Sequence, residues 1–131
     1  INQRELAGTK HIIRGKSVKE MYKVLSNNGL LGLVSDQDAK SKGVFVDFFG
    51  TPASTPKGAA LFHINTRAPL LLGVCFKENF KKYHIHFKAI NTKNKNLKEI
   101  TQEYTSQLES YIKQYPDQYF WFHRRWKTKK T

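Results

Sequence analysis

The sequence holds one cysteine, Cys75. That excludes an internal disulfide framework and is compatible with a reducing compartment. Within Pro69-Leu70-Leu71-Leu72-Gly73-Val74-Cys75-Phe76 it reads as a buried core thiol. Long hydrophobic runs are missing too. No stretch approaches the roughly 20 apolar residues of a membrane-spanning helix, and no secretory signal pattern is visible. The chain is therefore expected to be soluble or peripheral. Acidic residues are few, 10 against 23 Lys and Arg, for a formal net charge of +13. Such a balance favours polyanionic partners: nucleic acid, anionic lipid headgroups or a phosphorylated glycolipid. The Gly-x-x-x-x-Gly-Lys-Ser/Thr pattern is absent, because Lys57 precedes Gly58, so nucleotide binding by Gly50 to Gly58 is disfavoured. The first residue is Ile1 rather than Met, which fits a fragment or a trimmed chain.

What is present suffices for a core. Of 131 residues, 39% are hydrophobic and 13% aromatic, which argues against disorder over most of the length and for one domain or a piece of one. The chain is organised around Leu30 to Ala60. Leu30-Leu31-Gly32-Leu33-Val34 reads as a strand buried on both faces, and it ends in Ser35-Asp36-Gln37-Asp38. A second apolar run covers Val44 to Phe49. A turn at Gly50-Thr51-Pro52 follows, then a Ser/Thr/Pro segment that opens a helix near Lys57 and runs Gly58 to Thr66.

Before this stretch, Thr9 to Arg14 suggests a short strand. Ser17-Val18-Lys19-Glu20 is a capping-box pattern opening a helix that Asn28-Gly29 ends. After it, Leu70 to Phe76 reads as a second buried strand. Glu78 to Lys82 reads as a hairpin turn, and Tyr83 to Lys88 as a half-exposed antiparallel strand. Asn91 to Asn96 is a polar loop. Leu97, Ile100, Tyr104, Leu108, Tyr111, Ile112 and Tyr115 mark an amphipathic helix stopped by Pro116. The fold class expected is α/β: a mixed, mainly parallel sheet flanked by helices.

Acids at the carboxyl end of a buried strand stand where open α/β sheets carry their sites. That singles out Asp36 and Gln37; the plain alternative is a solvated loop acid and a turn amide. Asp38 reads as solvent-facing. The tail His123-Arg124-Arg125-Trp126-Lys127 interleaves cations with Trp. It suits nucleic-acid phosphates and bases, or a bilayer surface, or is simply a solvated end. The lysines from Lys77 to Lys98 read as a solvated face, with docking of an acidic protein as the second reading. His84 and His86 share a strand face without a third ligand, which reads as packing or surface and is weak evidence for zinc.

Several blocks carry a resemblance. Asp36-Gln37, then Gly43-Val44-Phe45-Val46-Asp47-Phe48-Phe49-Gly50, then Ala53-Ser54-Thr55 with Gly58-Ala59-Ala60, and finally Pro116 to Lys127, closely resemble the late acyltransferases of lipid A biosynthesis. The resemblance implies that residues 1–131 are the C-terminal portion of a single acyltransferase domain of glycerolipid-acyltransferase type, with its upstream half absent. It implies transfer of a fatty acyl chain from acyl carrier protein to a hydroxyl of a lipid A precursor, at an anionic membrane surface, the cytoplasmic face of the bacterial inner membrane. It implies no cofactor, no metal and no nucleic acid; a basic nucleic-acid-binding module is the alternative.

By the same resemblance Asp36 and Gln37 line the active site. Arg4, in Arg4-Glu5-Leu6-Ala7-Gly8, does so through an Arg-x-x-x-Gly match, with an ordinary surface Arg as the alternative. Lys42, His123, Arg124, Arg125 and Lys127 are expected to meet the headgroup or membrane, while Trp121 and Trp126 pack. The family's base is a His in His-x-x-x-x-Asp/Glu, which activates the acceptor hydroxyl. Five positions after His11, His63, His84, His86 and His123 stand Lys16, Ala68, Ala89, Asn91 and Thr128. None is acidic, so no catalytic residue is assigned within this chain and the base is expected upstream.

Overall fold

The computed structural model describes residues 2–13 and 17–130, without the side chains of Asn2 and Arg4. The chain divides into two compact units, Ile1–Gly32 and Leu33–Thr131. The first holds α1 (Asn2–Glu5) and α2 (Val18–Ser26). The Ser17 hydroxyl accepts the Glu20 amide at 3.3 Å, and Gly29 N–H returns to Val24 O at 2.8 Å, closing the helix where Asn28-Gly29 was expected to end it. The strand expected at Thr9 to Arg14 does not form over residues 9–13, and Arg14 lies outside the described residues.

The second unit runs β1 (Val44–Phe48), β2 (Thr51–Thr55), α3 (Gly58–Thr66), β3 (Leu71–Asn79), β4 (Lys82–Ala89) and α4 (Leu97–Gln114), with single 3-10 turns at Lys40–Lys42 and Pro116–Gln118. β1 and β2 form a hairpin, Val44 opposite Thr55 and Phe48 opposite Thr51. Its two-residue turn is Phe49-Gly50, both at positive φ (54° and 76°), as a type I′ connection requires. Glycine takes that conformation without steric cost. Phe49 does not, and it is held by its N–H donating to Glu109 Oε2 at 2.9 Å. The helix at Gly58–Thr66 stands where the sequence placed it.

The class is mixed α/β, but the mainly parallel sheet is not there. Both sheets among the described residues are two-stranded and antiparallel, β1 with β2 and β3 with β4. The run Leu30 to Val34 is not a strand either; Leu30 is 92% and Val34 85% exposed. An apolar run becomes a doubly buried strand only where neighbouring strands satisfy its amides and carbonyls. None of the described strands pairs with it. β3 is likewise alternately exposed along its length rather than buried on both faces.

The cores follow α4. Ala60, Ile90, Ile100 and Tyr104 form one buried cluster, and Phe48, Ala53 and Ile112 another, so Ile100, Tyr104 and Ile112 are the side of the helix that sequence periodicity marked. The helix opens with a full capping box that the sequence reading passed over as loop: Asn96 Oδ1 accepts Glu99 N at 3.0 Å, and Glu99 Oε2 accepts Asn96 N at 2.7 Å. Gln102 then grips the outer edge of β1. Its carboxamide accepts from Asp47 N at 2.7 Å and donates to Asp47 O at 2.9 Å.

Candidate active site

Asp36 is placed by the tail. Tyr119 Oη donates to its carbonyl at 3.3 Å. Two residues on, Asp38 N donates to His123 Nε2 at 2.9 Å, and Asp38 Oδ2 accepts from Thr128 Oγ1 at 2.8 Å. Asp38 is thus half-buried and tied down, not solvent-facing as expected. The loop is also pinned to β2. Ala39 N donates to Ser54 O at 3.1 Å, and Ser54 Oγ donates to Lys40 O at 2.6 Å. Gly43 allows this approach, since a Cβ there would strike Ser54 Oγ and stand 2.7 Å from Ala39 Cβ.

Arg125 is the residue whose surroundings differ most from expectation. It was assigned to a headgroup or membrane, yet it is 3% exposed. Nη1 donates to Ser54 O at 2.7 Å and Nη2 to Thr55 Oγ1 at 2.5 Å. The guanidinium lies 5.2 Å from the Phe48 ring centre, which is cation–π range. Burial pulls its pKa below the usual arginine value; Tyr119, Asp38 and Asp36 oppose that. The same burial raises the Tyr119 and Tyr104 hydroxyls. Arg125 is turned inward, its fork meeting two acceptors on β2: Ser54 O, which it shares with the Ala39 amide, and Thr55 Oγ1.

Asp36 and Arg125 both border one mostly apolar cavity of about 430 Å³. Its lining includes Leu33 to Asp36, residues 70–76, and Tyr104, Leu108 and Ile112 of α4. Asp36 Oδ1 is buried and has no hydrogen-bond partner. An acid and a cation therefore line one cleft. Gln37 is exposed and is not among the cavity residues. Arg4 belongs to the first unit and its side chain lies outside the described residues. Lys42, Arg124 and Lys127 are exposed; Lys42 closes the 3-10 turn. His123 is half-buried, its Nε2 lone pair taken by Asp38 N–H.

Trp126 packs, stacked on Phe48 at 5.3 Å with Nε1 donating to Phe48 O at 3.2 Å. Trp121 remains 48% exposed, though it lies edge-on to Tyr119 at 4.8 Å. The tail therefore does not offer an Arg125–Trp126 platform for bases. His84 and His86 pack on Phe76, and no cluster of three metal-ligating side chains occurs among the described residues. No histidine borders the cavity among the described residues.

Sequence reading missed Tyr119 and the Ser54–Thr55 pair as site residues. Ser54 and Thr55 were quoted only as matching residues, and nothing in their spacing announces that Arg125, some 70 residues later, will use them.

The described residues thus provide a mostly apolar cleft with one buried carboxylate oxygen on a mixed α/β frame, the kind of concave site where ligands bind. The particular class comes from comparison. Residues 1–128 match the model of the bacterial lipid A biosynthesis acyltransferase family, and the chain belongs to that family. Among curated proteins it is similar to a phosphatidylinositol mannoside acyltransferase of Mycobacterium tuberculosis (strain ATCC 25618 / H37Rv), 27% identical over 130 residues, 96% of this chain and 41% of that protein. The protein of the same name from strain CDC 1551 / Oshkosh is 28% identical over 102 residues, 78% of this chain and 32% of that protein. The chain therefore spans less than half the length of the curated relatives it matches.

Proposed function

We propose that these 131 residues are the C-terminal portion of an acyltransferase that moves a fatty acyl chain from the thioester of acyl carrier protein to a hydroxyl of a phosphorylated glycolipid, a lipid A precursor. The observation that carries this reading is Asp36, with one carboxylate oxygen buried and unpaired at an apolar cavity that also holds Arg125. An apolar cleft suits an acyl chain. An unpaired acceptor suits a donor that arrives with the rest of the site: an imidazole N–H or a substrate hydroxyl.

Transfer needs a base to take the acceptor's proton, and the five histidines here do not serve. The base comes from the upstream half of the polypeptide, and Asp36 orients the donor that faces it. Arg124, Lys127 and Lys42 are exposed cations for the lipid phosphates or an anionic bilayer at the cytoplasmic face of the inner membrane. The lysine-rich β3–β4 hairpin offers an acidic carrier protein a docking face.

The test is an acyl-transfer assay with acyl carrier thioester and lipid A precursor. The polypeptide extended through its upstream reading frame turns over, the 131-residue chain does not, and Asp36→Asn in the longer polypeptide lowers kcat by about 100-fold. Robust turnover by the 131-residue chain would remove the missing base from the mechanism.

A further inference from the structure

One edge of β3 is an unfinished sheet. The direction of its backbone groups follows from two contacts. Leu70 O accepts from Ile90 N at 2.9 Å, so Leu70 faces β4. Lys77 faces the other way: its N–H donates to Gln118 Oε1 at 2.6 Å and its carbonyl accepts from Gln118 Nε2 at 2.8 Å. In an antiparallel pair successive residues alternate, and the register is unbroken from Leu71↔Ala89 to Lys77↔Tyr83. The N–H and C=O groups of Leu71, Gly73 and Cys75 therefore point away from β4 with Lys77. The Gln118 carboxamide supplies Lys77 with the donor and acceptor of a neighbouring strand. Leu71, Gly73 and Cys75 have no such partner among the described residues.

Leu71, Gly73 and Cys75 line the cavity, as do Leu33 to Asp36. The adjoining sheet face is apolar and bare, with Leu71 51%, Ile85 63% and Phe87 70% exposed. A row of unpaired backbone groups beside bare apolar side chains is a template for one more strand.

We propose that this edge receives an extended strand of the same polypeptide, from the part preceding Ile1. That strand pairs with Leu71, Gly73 and Cys75, and the chain attached to it covers Ile85 and Phe87. The inference rests on the reading above that these residues are the C-terminal portion of a longer enzyme. Two observations choose this occupant. The curated relatives are more than twice the length matched here, 41% and 32% of each being covered. A second copy is opposed by a formal charge of +13 on each chain.

Amide hydrogen exchange and thiol labelling test this in the 131-residue chain and in the polypeptide extended through its full upstream reading frame. In the longer polypeptide the amides of Leu71, Gly73 and Cys75 slow by about 100-fold, and Cys75 alkylation slows with them. The amides of Leu72, Val74 and Phe76, already bonded to β4, change much less. Equal rates in the two proteins overturn the proposal. Equal protection of both sets of amides overturns it as well, because that is general stabilisation and not pairing at the edge. Protection in the shorter chain that rises with concentration assigns the edge to a second copy, and a reading frame with no apolar strand before Ile1 leaves it without its occupant. Acyl transfer is scored separately. Activity without edge protection sinks the strand and keeps the enzyme; protection without activity does the reverse.

Discussion

Arg125 shows how far a single side chain departs from its sequence context. It stands in a run of cations at an end of the chain, yet it is buried against two acceptors on β2 and the face of Phe48. Truncating it leaves Ser54 O with the Ala39 N–H alone, takes a donor from Thr55 Oγ1 and opens a void. Arg125→Ala is expected to cost about 2–4 kcal/mol, read as a fall in the urea midpoint. Arg125→Lys keeps the charge but loses the fork, so it falls between wild type and Ala. Arg124→Ala, one position earlier and exposed, is expected to leave the midpoint unchanged. Glu109 makes the second case. Its carboxylate is held below the ordinary value of 4.5, first by Lys113 and then by the Phe49 N–H. A depressed carboxylate stabilises the fold above its unfolded pKa, and that contribution is lost as pH falls from about 4.5 through the lower folded value. Urea midpoints followed downward from pH 6 should drop through this window, and Glu109→Gln should flatten the drop. An undiminished drop in Glu109→Gln would put the titration elsewhere.

Elements divide into those whose signals are local and those whose partners are distant. α3 and α4 were readable, because the Ser/Thr/Pro segment that opens the one, and the apolar spacing and following Pro116 of the other, lie in or beside the segments themselves. The Asn96–Glu99 box was equally local and would have been found by the same spacing rule that found Ser17 and Glu20. β2 was not readable. Thr51 to Thr55 contains Pro52, and only the type I′ turn at Phe49-Gly50 makes it a strand. The 3-10 turn at Lys40–Lys42 depends on Gly43, which passes too close to β2 for any side chain. Gly43→Ala is expected to destabilise by about 1–3 kcal/mol and to loosen Asp36 with it, seen as faster exchange of the Ala39 amide. α2 has no buried residue and only 9 positions, too short to be stable alone. Its amides should exchange far faster than those of α4; comparable protection would show that something covers it.

At the scale of the whole molecule, charge and apolar surface act together. The chain carries +13, with Lys42, Arg124 and Lys127 exposed. Binding to vesicles containing anionic phosphatidylglycerol should exceed binding to neutral phosphatidylcholine and weaken with salt, by about 1 kcal/mol for each cation removed in Arg124→Ala and Lys127→Ala. Equal binding to both vesicles would leave the net charge without a lipid role.

The sequence by itself determined the family, the mixed α/β class, the α3 and α4 helices and the absence of a His-x-x-x-x-Asp/Glu base, because each is written in local spacing or in a short motif. Tertiary structure alone decided that Arg125 turns inward, that Asp38 is tied to the tail, and that Leu30 to Val34 and the β3 edge from Leu71 to Cys75 have no strand partner among the described residues. The physical reason is that a strand or a buried charge is defined by the partner that satisfies it, and those partners lie tens of residues away along the chain.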